Sequence, residues 1–361
     1  MHPFILAIGL LLYSFLESDH RLEKAREQYK SANSVSYHQT AYYPIPDADI
    51  VDSSKMFVVI FNPGLLDYQF LVSRMDVDEV YQDGIFSEVR HKEKAYYRYE
   101  KSENQKSYME SSLLNKYGPI SLLQHEWKYL NDTALSNRQY GHFMRIEREW
   151  VYEEKQIVVE HHIFLSPDDL IARFERRNYV DGALTQTVTY RYDEYQFDQH
   201  TLSPRASSPE LYSMKYFERV DKLKALEKGT SAPHFEGRGT NGEEIVFGKE
   251  LSEQTLLLFG SISCGYSQMV IEHISQEQFK LKNGVALLTF LGSDTRERAV
   301  KYLEKFPLSN PVIVDRRDIE TSYGIAGYPI LHLIDQNGTI TESLAGSSGI
   351  IELLDRLAAE K

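Results

Sequence analysis

Cys264 is the one cysteine in this 361-residue chain, and it lies in the run Phe259-Gly-Ser-Ile-Ser-Cys264-Gly-Tyr-Ser267. An apolar stretch, Leu256 to Phe259, precedes it and reads as a buried strand, and a helix-compatible stretch from Ser267 to Lys280 follows. A thiol at such a strand-to-helix turn faces free backbone N–H groups and the positive end of the helix dipole, which favour the thiolate, its nucleophilic form. The spacing is that of a Cys-x-x-Cys redox pair in which the second sulfur has become the hydroxyl of Ser267. Ser267, one helical turn on, is placed to donate a hydrogen bond to the thiolate, but it cannot close a disulfide.

Thiol–disulfide exchange runs by thiolate attack, a mixed disulfide, and attack by a second thiol. Cys264 is equipped for the first step alone, so release of a bound partner needs a thiol from outside. The rival reading makes Cys264 a small buried hydrophobe, a frequent role for free cysteine.

Several further segments must position that turn. Ser231-Ala-Pro-His-Phe235 opens the region, and Gly242 marks a turn before Ile245-Val-Phe. Val285–Leu291 reads as a second buried strand and Pro311–Asp315 as a short third one. Tyr323-Gly-Ile-Ala-Gly-Tyr-Pro329 leads into Ile330-Leu-His-Leu-Ile-Asp-Gln-Asn-Gly338-Thr-Ile, a hairpin with an Asn-Gly turn. These landmarks, with Cys264, resemble the TlpA and redoxin branch of the thioredoxin superfamily over residues 229–361. The resemblance implies an α/β thioredoxin fold with Pro329 as its cis-proline, and a substrate groove lined by Tyr266, Tyr328 and Pro329. It further implies thiol–disulfide exchange through Cys264 and Ser267, a thiol- or disulfide-bearing protein partner, no cofactor, and a periplasmic or otherwise extracytoplasmic location.

Departures from the family pattern fall at the chemistry. Ser263 replaces the tryptophan before the nucleophile and Glu272 the helix proline. Leu258 and Val270 stand where the family places proton-handling carboxylates. A non-catalytic module that binds protein or lipid beside a degenerate redox site is therefore the alternative. Peroxide reduction is a weaker one: Ser261 could replace the peroxiredoxin threonine, but Leu257 replaces that family's proline and Tyr328-Pro329 its arginine.

Elsewhere, His161-His162 suggests a metal site, but neighbouring strand residues point to opposite faces and no spaced partner set accompanies them. His332 is close enough to Pro329 to assist proton transfer, against the plainer expectation of a hydrogen-bonded strand histidine. Gly346-Ser-Ser-Gly349 reads as the cap of a terminal helix, Ile350–Ala359, and no phosphate-binding glycine loop occurs.

The formal net charge is −13, and no Lys/Arg block stands against it, which argues against nucleic acid as a partner. Residues Phe4–Leu16 form an apolar run too short for an ordinary membrane span and suited to a signal peptide over residues 1–18, with a buried first helix as the alternative. Residues 19–222 form a separate domain, in which most of the 25 tyrosines lie. It opens with a helix that puts Leu22, Ala25 and Tyr29 on one face, then turns strand-rich, with hairpin signals at Asp83-Gly84 and Asp181-Gly182 and a helical insert at Ile120–Leu130. This order, with Leu165–Glu175 as a late strand pair, resembles LolA-like half-barrels. That resemblance implies an α+β antiparallel half-barrel ahead of the thioredoxin fold, with an apolar ligand or a packed aromatic core on its concave face.

Overall fold

The computed structural model describes residues 20–45, 48–65, 68–99, 112–152, 155–200, 212–216, 223–248 and 251–359. The signal peptide expected at 1–18 lies outside the described residues. The chain divides into two units, Met1–Pro44 with Val51–Arg219 and Ile45–Ile50 with Val220–Lys361.

Unit 1 begins with a helix, α1, described over residues 20–31. Leu22, Ala25 and Tyr29 are buried on one of its faces, as their spacing predicts. Twelve strands then form one sheet: β1 (Ser34–Pro44), β2 (Val51–Phe61), β3 (Gln69–Ser73), β4 (Val77–Gln82), β5 (Ile85–Arg90), β6 (Ala95–Tyr99), β7 (Lys128–Leu135), β8 (Arg138–Tyr152), β9 (Lys155–Leu165), β10 (Ile171–Val180), β11 (Ala183–Phe197) and β12 (Ser213–Tyr216). Their spatial order is β12-β6-β5-β4-β3-β2-β1-β11-β10-β9-β8-β7, antiparallel except where β12 joins β6. Asp83-Gly84 and Asp181-Gly182 make the tight connections β4–β5 and β10–β11, both residues of each pair at positive φ. Along β11, Val188, Tyr190 and Tyr192 are buried while Thr187, Thr189 and Arg191 are not.

The helical insert lies earlier than its expected place at Ile120–Leu130. It is two short helices, α2 (Leu113–Tyr117) and α3 (Pro119–Leu123), and Leu130 belongs to β7. Pro119 causes the break, because the residue before a proline is pushed out of the helical region, and Gly118 is extended at φ −73°, ψ 152°. One face of the sheet is filled by the chain's own side chains, among them Tyr37, Phe70, Phe86, Phe143, Phe174 and Tyr192. Arg21 ties α1 to the β9–β10 turn through Asp169 Oδ1 at 2.7 Å and the Ser166 carbonyl at 2.8 Å. The sheet is antiparallel as expected, whereas its likeness to a LolA half-barrel stays with the sequence resemblance.

Unit 2 starts with a hairpin of β13 (Phe235–Arg238) and β14 (Glu244–Phe247). A five-stranded sheet follows in the order β17-β16-β15-β18-β19, built from β15 (Gln254–Phe259), β16 (Val285–Leu291), β17 (Val312–Val314), β18 (Ile330–Ile334) and β19 (Ile340–Ala345). β15, β16 and β17 run parallel, and β18 and β19 pair antiparallel. The connections carry α4 (Gly265–Ile274), α5 (Arg296–Lys305) and α6 (Arg317–Ser322), with α7 (Ser347–Leu357) at the end. This is the thioredoxin topology implied for residues 229–361. Parallel neighbours need long crossovers, and a central parallel strand covered on both faces reads as a continuous apolar run, which explains Leu256–Phe259.

Two clusters sandwich that strand. Leu257 and Phe259 pack with Phe290, Ile313, Ile319 and Tyr323, and Leu256 and Leu258 pack with Val270, Ile274, Ile350 and Leu354. A third cluster contains Ile45 and Ile50, which pack with Ile262, Ile271, Leu291 and Tyr302. The turn that presents them is closed by Ile45 N–H to the Ile50 carbonyl at 2.9 Å, and Lys301 Nζ donates to the Asp49 carbonyl at 2.7 Å.

Candidate active site

The site forms where β15 ends. Gly260 N–H still bonds to the Phe290 carbonyl at 2.9 Å, after which the chain leaves the sheet and turns at residues 261–264. Cys264 is the extended N-cap of α4 at φ −101°, ψ 115°, so the helix begins just after the sulfur. It ends at Ile274, earlier than the Lys280 expected, with Ser275 as its C-cap.

Three interactions brace the turn. Ser261 N–H donates to Ser267 Oγ at 3.2 Å, Ile262 N–H donates to Asp294 Oδ2 at 3.0 Å, and the Ser261 and Ser263 hydroxyls lie 3.0 Å apart. Cys264 is half-buried, and its Sγ donates to the Tyr328 carbonyl at 3.5 Å. Tyr328 precedes Pro329, and the bond between them is cis.

The residues expected at the site therefore gather around one sulfur, but two of them differ from expectation. Ser267 is 1% exposed, and its Oγ is occupied with the Ser261 amide rather than with the thiol. A first-turn side chain lies over the turn that precedes it, and here that turn offers an N–H. Tyr328 contributes its backbone to the sulfur while its ring turns inward. Its hydroxyl donates to Glu320 Oε2 at 2.7 Å and lies 2.9 Å from Ser293 Oγ. Tyr266, 50% exposed, and Met269, 37% exposed, form an open apolar surface on the first two turns of α4, while Pro329, expected to line the groove, is buried.

Leu258 and Val270, at the two places where the family keeps a carboxylate, are buried and apolar. Two other carboxylates come close to the site, Asp294 and Glu320, each 2% exposed. Asp294 receives the Ile262 amide, and Glu320 receives the Tyr328 phenol and, on Oε1, the Gly292 N–H at 3.1 Å. Burial pushes the Glu320 carboxyl above its ordinary range against the pull of those bonds, and burial likewise pushes the Tyr328 phenol up to about 12. Neither acid was visible from sequence spacing, since both reach the site from segments far downstream of Cys264.

The other candidates separate from this site. His332 is fully buried, both ring nitrogens lack hydrogen-bond partners, and burial pushes its pKa down to about 4. It is thus neither the satisfied strand histidine expected nor a group within reach of solvent. Its ring sits against Phe259 and Tyr323, with centroids 5.9 Å and 5.8 Å away. His161 and His162 bond to different sets: His161 to Arg145 and Glu147, each at 2.9 Å, and His162 to His142 and Glu160, each at 2.9 Å. Gly346 caps α7 at φ 88°, and that helix starts at Ser347 rather than Ile350.

No protein-family model matches the chain. It is 22% identical over 135 residues to the thioredoxin-like protein YneN of Bacillus subtilis, covering 37% of this chain and 79% of that one. It is 25% identical over 125 residues to the thiol-disulfide oxidoreductase ResA of Geobacillus thermodenitrificans, covering 34% of this chain and 72% of that one. Among solved structures, the thioredoxin domain of a Bacteroides vulgatus thiol-disulfide oxidoreductase aligns with a TM-score of 0.33 at 18% identity, over 37% of this chain and 100% of that one. The two sequence relatives support a TlpA/redoxin-like thioredoxin-fold family.

Proposed function

We propose that the protein is a thiol–disulfide oxidoreductase that uses Cys264 as its single working thiol. One observation carries the reading: a half-buried cysteine at the amino end of α4, its sulfur 3.5 Å from the carbonyl that precedes Pro329. The Cys264 thiolate attacks one sulfur of a partner disulfide, an S–S bond forms between them, and the partner's other sulfur leaves as a thiolate and takes up a proton. Ser267 has no sulfur to break the new bond. A thiol of a second molecule therefore attacks the mixed disulfide, returning Cys264 as a thiolate and forming a disulfide with the partner's sulfur. The open face of Tyr266 and Met269 is suited to apolar side chains of an extended partner segment.

The name ResA, carried by a relative, describes a thiol-disulfide oxidoreductase, which supports the same chemistry here. Work outside the cytoplasm belongs to this reading through the apolar run Phe4–Leu16. No helix among the described residues is long and apolar enough to cross a membrane.

The test is trapping. Under oxidising conditions, unmutated protein added to an extract should collect mixed disulfides that reductant removes from a denaturing gel. Cys264→Ser should collect none. If the two proteins retain the same partners on non-reducing denaturing gels, covalent exchange is not the function. The missing second thiol favours one alternative, a groove that binds protein segments without turnover, and that reading would then stand.

A further inference from the structure

The Tyr328 carbonyl is held against the sulfur from behind. Three bonds run in series from the sheet to the thiol: Gly292 N–H to Glu320 Oε1 at 3.1 Å, the Tyr328 hydroxyl to Glu320 Oε2 at 2.7 Å, and Cys264 Sγ to the Tyr328 carbonyl at 3.5 Å. Glu320 comes from α6, Gly292 from the end of β16, and Tyr328 from the approach to β18, so this carboxylate joins three elements that share no turn.

Gly292 shows that the chain is built around this carboxylate. A Cβ at that position would lie 2.8 Å from Glu320 Cδ and 2.9 Å from the Arg316 carbonyl, closer than real Cβ contacts come. Only glycine admits the carboxyl group there. Burying a carboxyl group is costly unless its oxygens are bonded, and here each oxygen has a donor.

We infer that Glu320 is a positioning residue for the Cys264 site, holding the Tyr328 phenol so that the Tyr328 carbonyl stays aligned on the sulfur. The inference rests on Cys264 as the working thiol, and it assigns Glu320 no contact with the partner. Asp294, near enough to Glu320 to act on its charge, braces the turn before Cys264 through the Ile262 amide.

A chain with one cysteine has one S–H stretching band in the infrared, which reads the hydrogen bond of this thiol directly. Recorded on reduced protein at a pH where the thiol carries its proton, the band does not depend on whether Cys264 exchanges with a partner, so the inference and the proposed function fail separately. Cys264→Ser assigns the band by its loss. Tyr328→Phe keeps the ring and removes the hydroxyl, and Glu320→Ala removes the acceptor. Each should move the band to higher frequency, toward that of a thiol without an acceptor, and the double variant should move it no further than either single one. Glu320→Gln can still accept from Gly292 and bond to the phenol, so it should keep the band near its original position. Glu304→Gln, on exposed α5 surface, should leave the band in place. Should Glu320→Ala fail to fold, Tyr328→Phe decides alone. An unmoved band in folded Tyr328→Phe, or an equal shift in Glu304→Gln, overturns the inference.

Discussion

Replacing His332 by phenylalanine should make the protein markedly less sensitive to mild acid. The imidazole is fully buried, has no hydrogen-bond partner on either nitrogen, and has its pKa lowered by burial from 6.5 to about 4. A histidine whose folded pKa is depressed takes its proton first in the unfolded chain. Its contribution to stability is therefore complete above the unfolded value and is lost as pH falls from 6.5 toward 4. At 1.36 kcal/mol per unit the full loss is on the order of 3 kcal/mol, of which about 2 kcal/mol is gone at pH 5. The phenylalanine variant has no such proton. It also gains at neutral pH, because two unpaired buried polar atoms disappear, an effect of about 1–3 kcal/mol before any packing cost. Amide exchange of Leu256–Phe259, read by mass spectrometry at pH 7.5 and pH 5, follows the strand paired with His332. Comparing variants at each pH cancels the intrinsic change in exchange rate. His332→Leu controls for crowding by the larger ring. If wild type and His332→Phe lose protection in parallel between the two pH values, the buried imidazole is not the acid-sensitive group.

Ser267→Cys should discharge the mixed disulfides that wild type accumulates and raise turnover in a disulfide-reduction assay supplied with reductant, whereas persistence of the adducts would show that the second thiol cannot reach the first. Gly292→Ala should lower the unfolding free energy of unit 2 by about 1–3 kcal/mol through overpacking, and it should shift the Cys264 S–H band in the same direction as Glu320→Ala; a stability equal to wild type in urea would refute the close approach. Asp294→Ala should leave the buried Ile262 amide unpaired, at about 1–3 kcal/mol, and urea unfolding of this variant beside Asp294→Asn, which keeps an acceptor, separates lost bonding from lost charge.

What the sequence revealed follows from how locally each feature is encoded. Leu256–Phe259 is an unbroken apolar run and Val285–Leu291 is interrupted only by Thr289, so both were legible. Asp83-Gly84 and Asp181-Gly182 were legible because positive φ at consecutive positions selects these residues. Cys264 and Pro329 were found by their types and surroundings, and the Cys264 sulfur bonds to the carbonyl of the residue before Pro329. Glu320 and Asp294 escaped because a buried acid looks like a surface acid until its partners are known. The role of Ser267 depended on which group its hydroxyl faces, and spacing alone cannot tell a sulfur from an amide one turn back. The insert at 113–123 was misplaced because Pro119 breaks it in two, and the apolar character of residues beyond it belongs to a strand.

The membership of Ile45–Ile50 in unit 2 bears on how this protein can be taken apart. Their partners Ile262, Ile271, Leu291 and Tyr302 leave the ribosome long after them, so this cluster is assembled from the first and last thirds of the chain. A fragment cut at the apparent boundary, from residue 220 onward, would keep Cys264 yet lack two isoleucines of its interior. It would present an apolar notch beside the turn that carries Cys264, because Ile262 is both a wall of that notch and a member of the turn. Unit 2 is therefore no freely transferable module. Its first residues are supplied by the link between two strands of the other half, and gene fusions or domain exchanges that ignore this will carry an incomplete core.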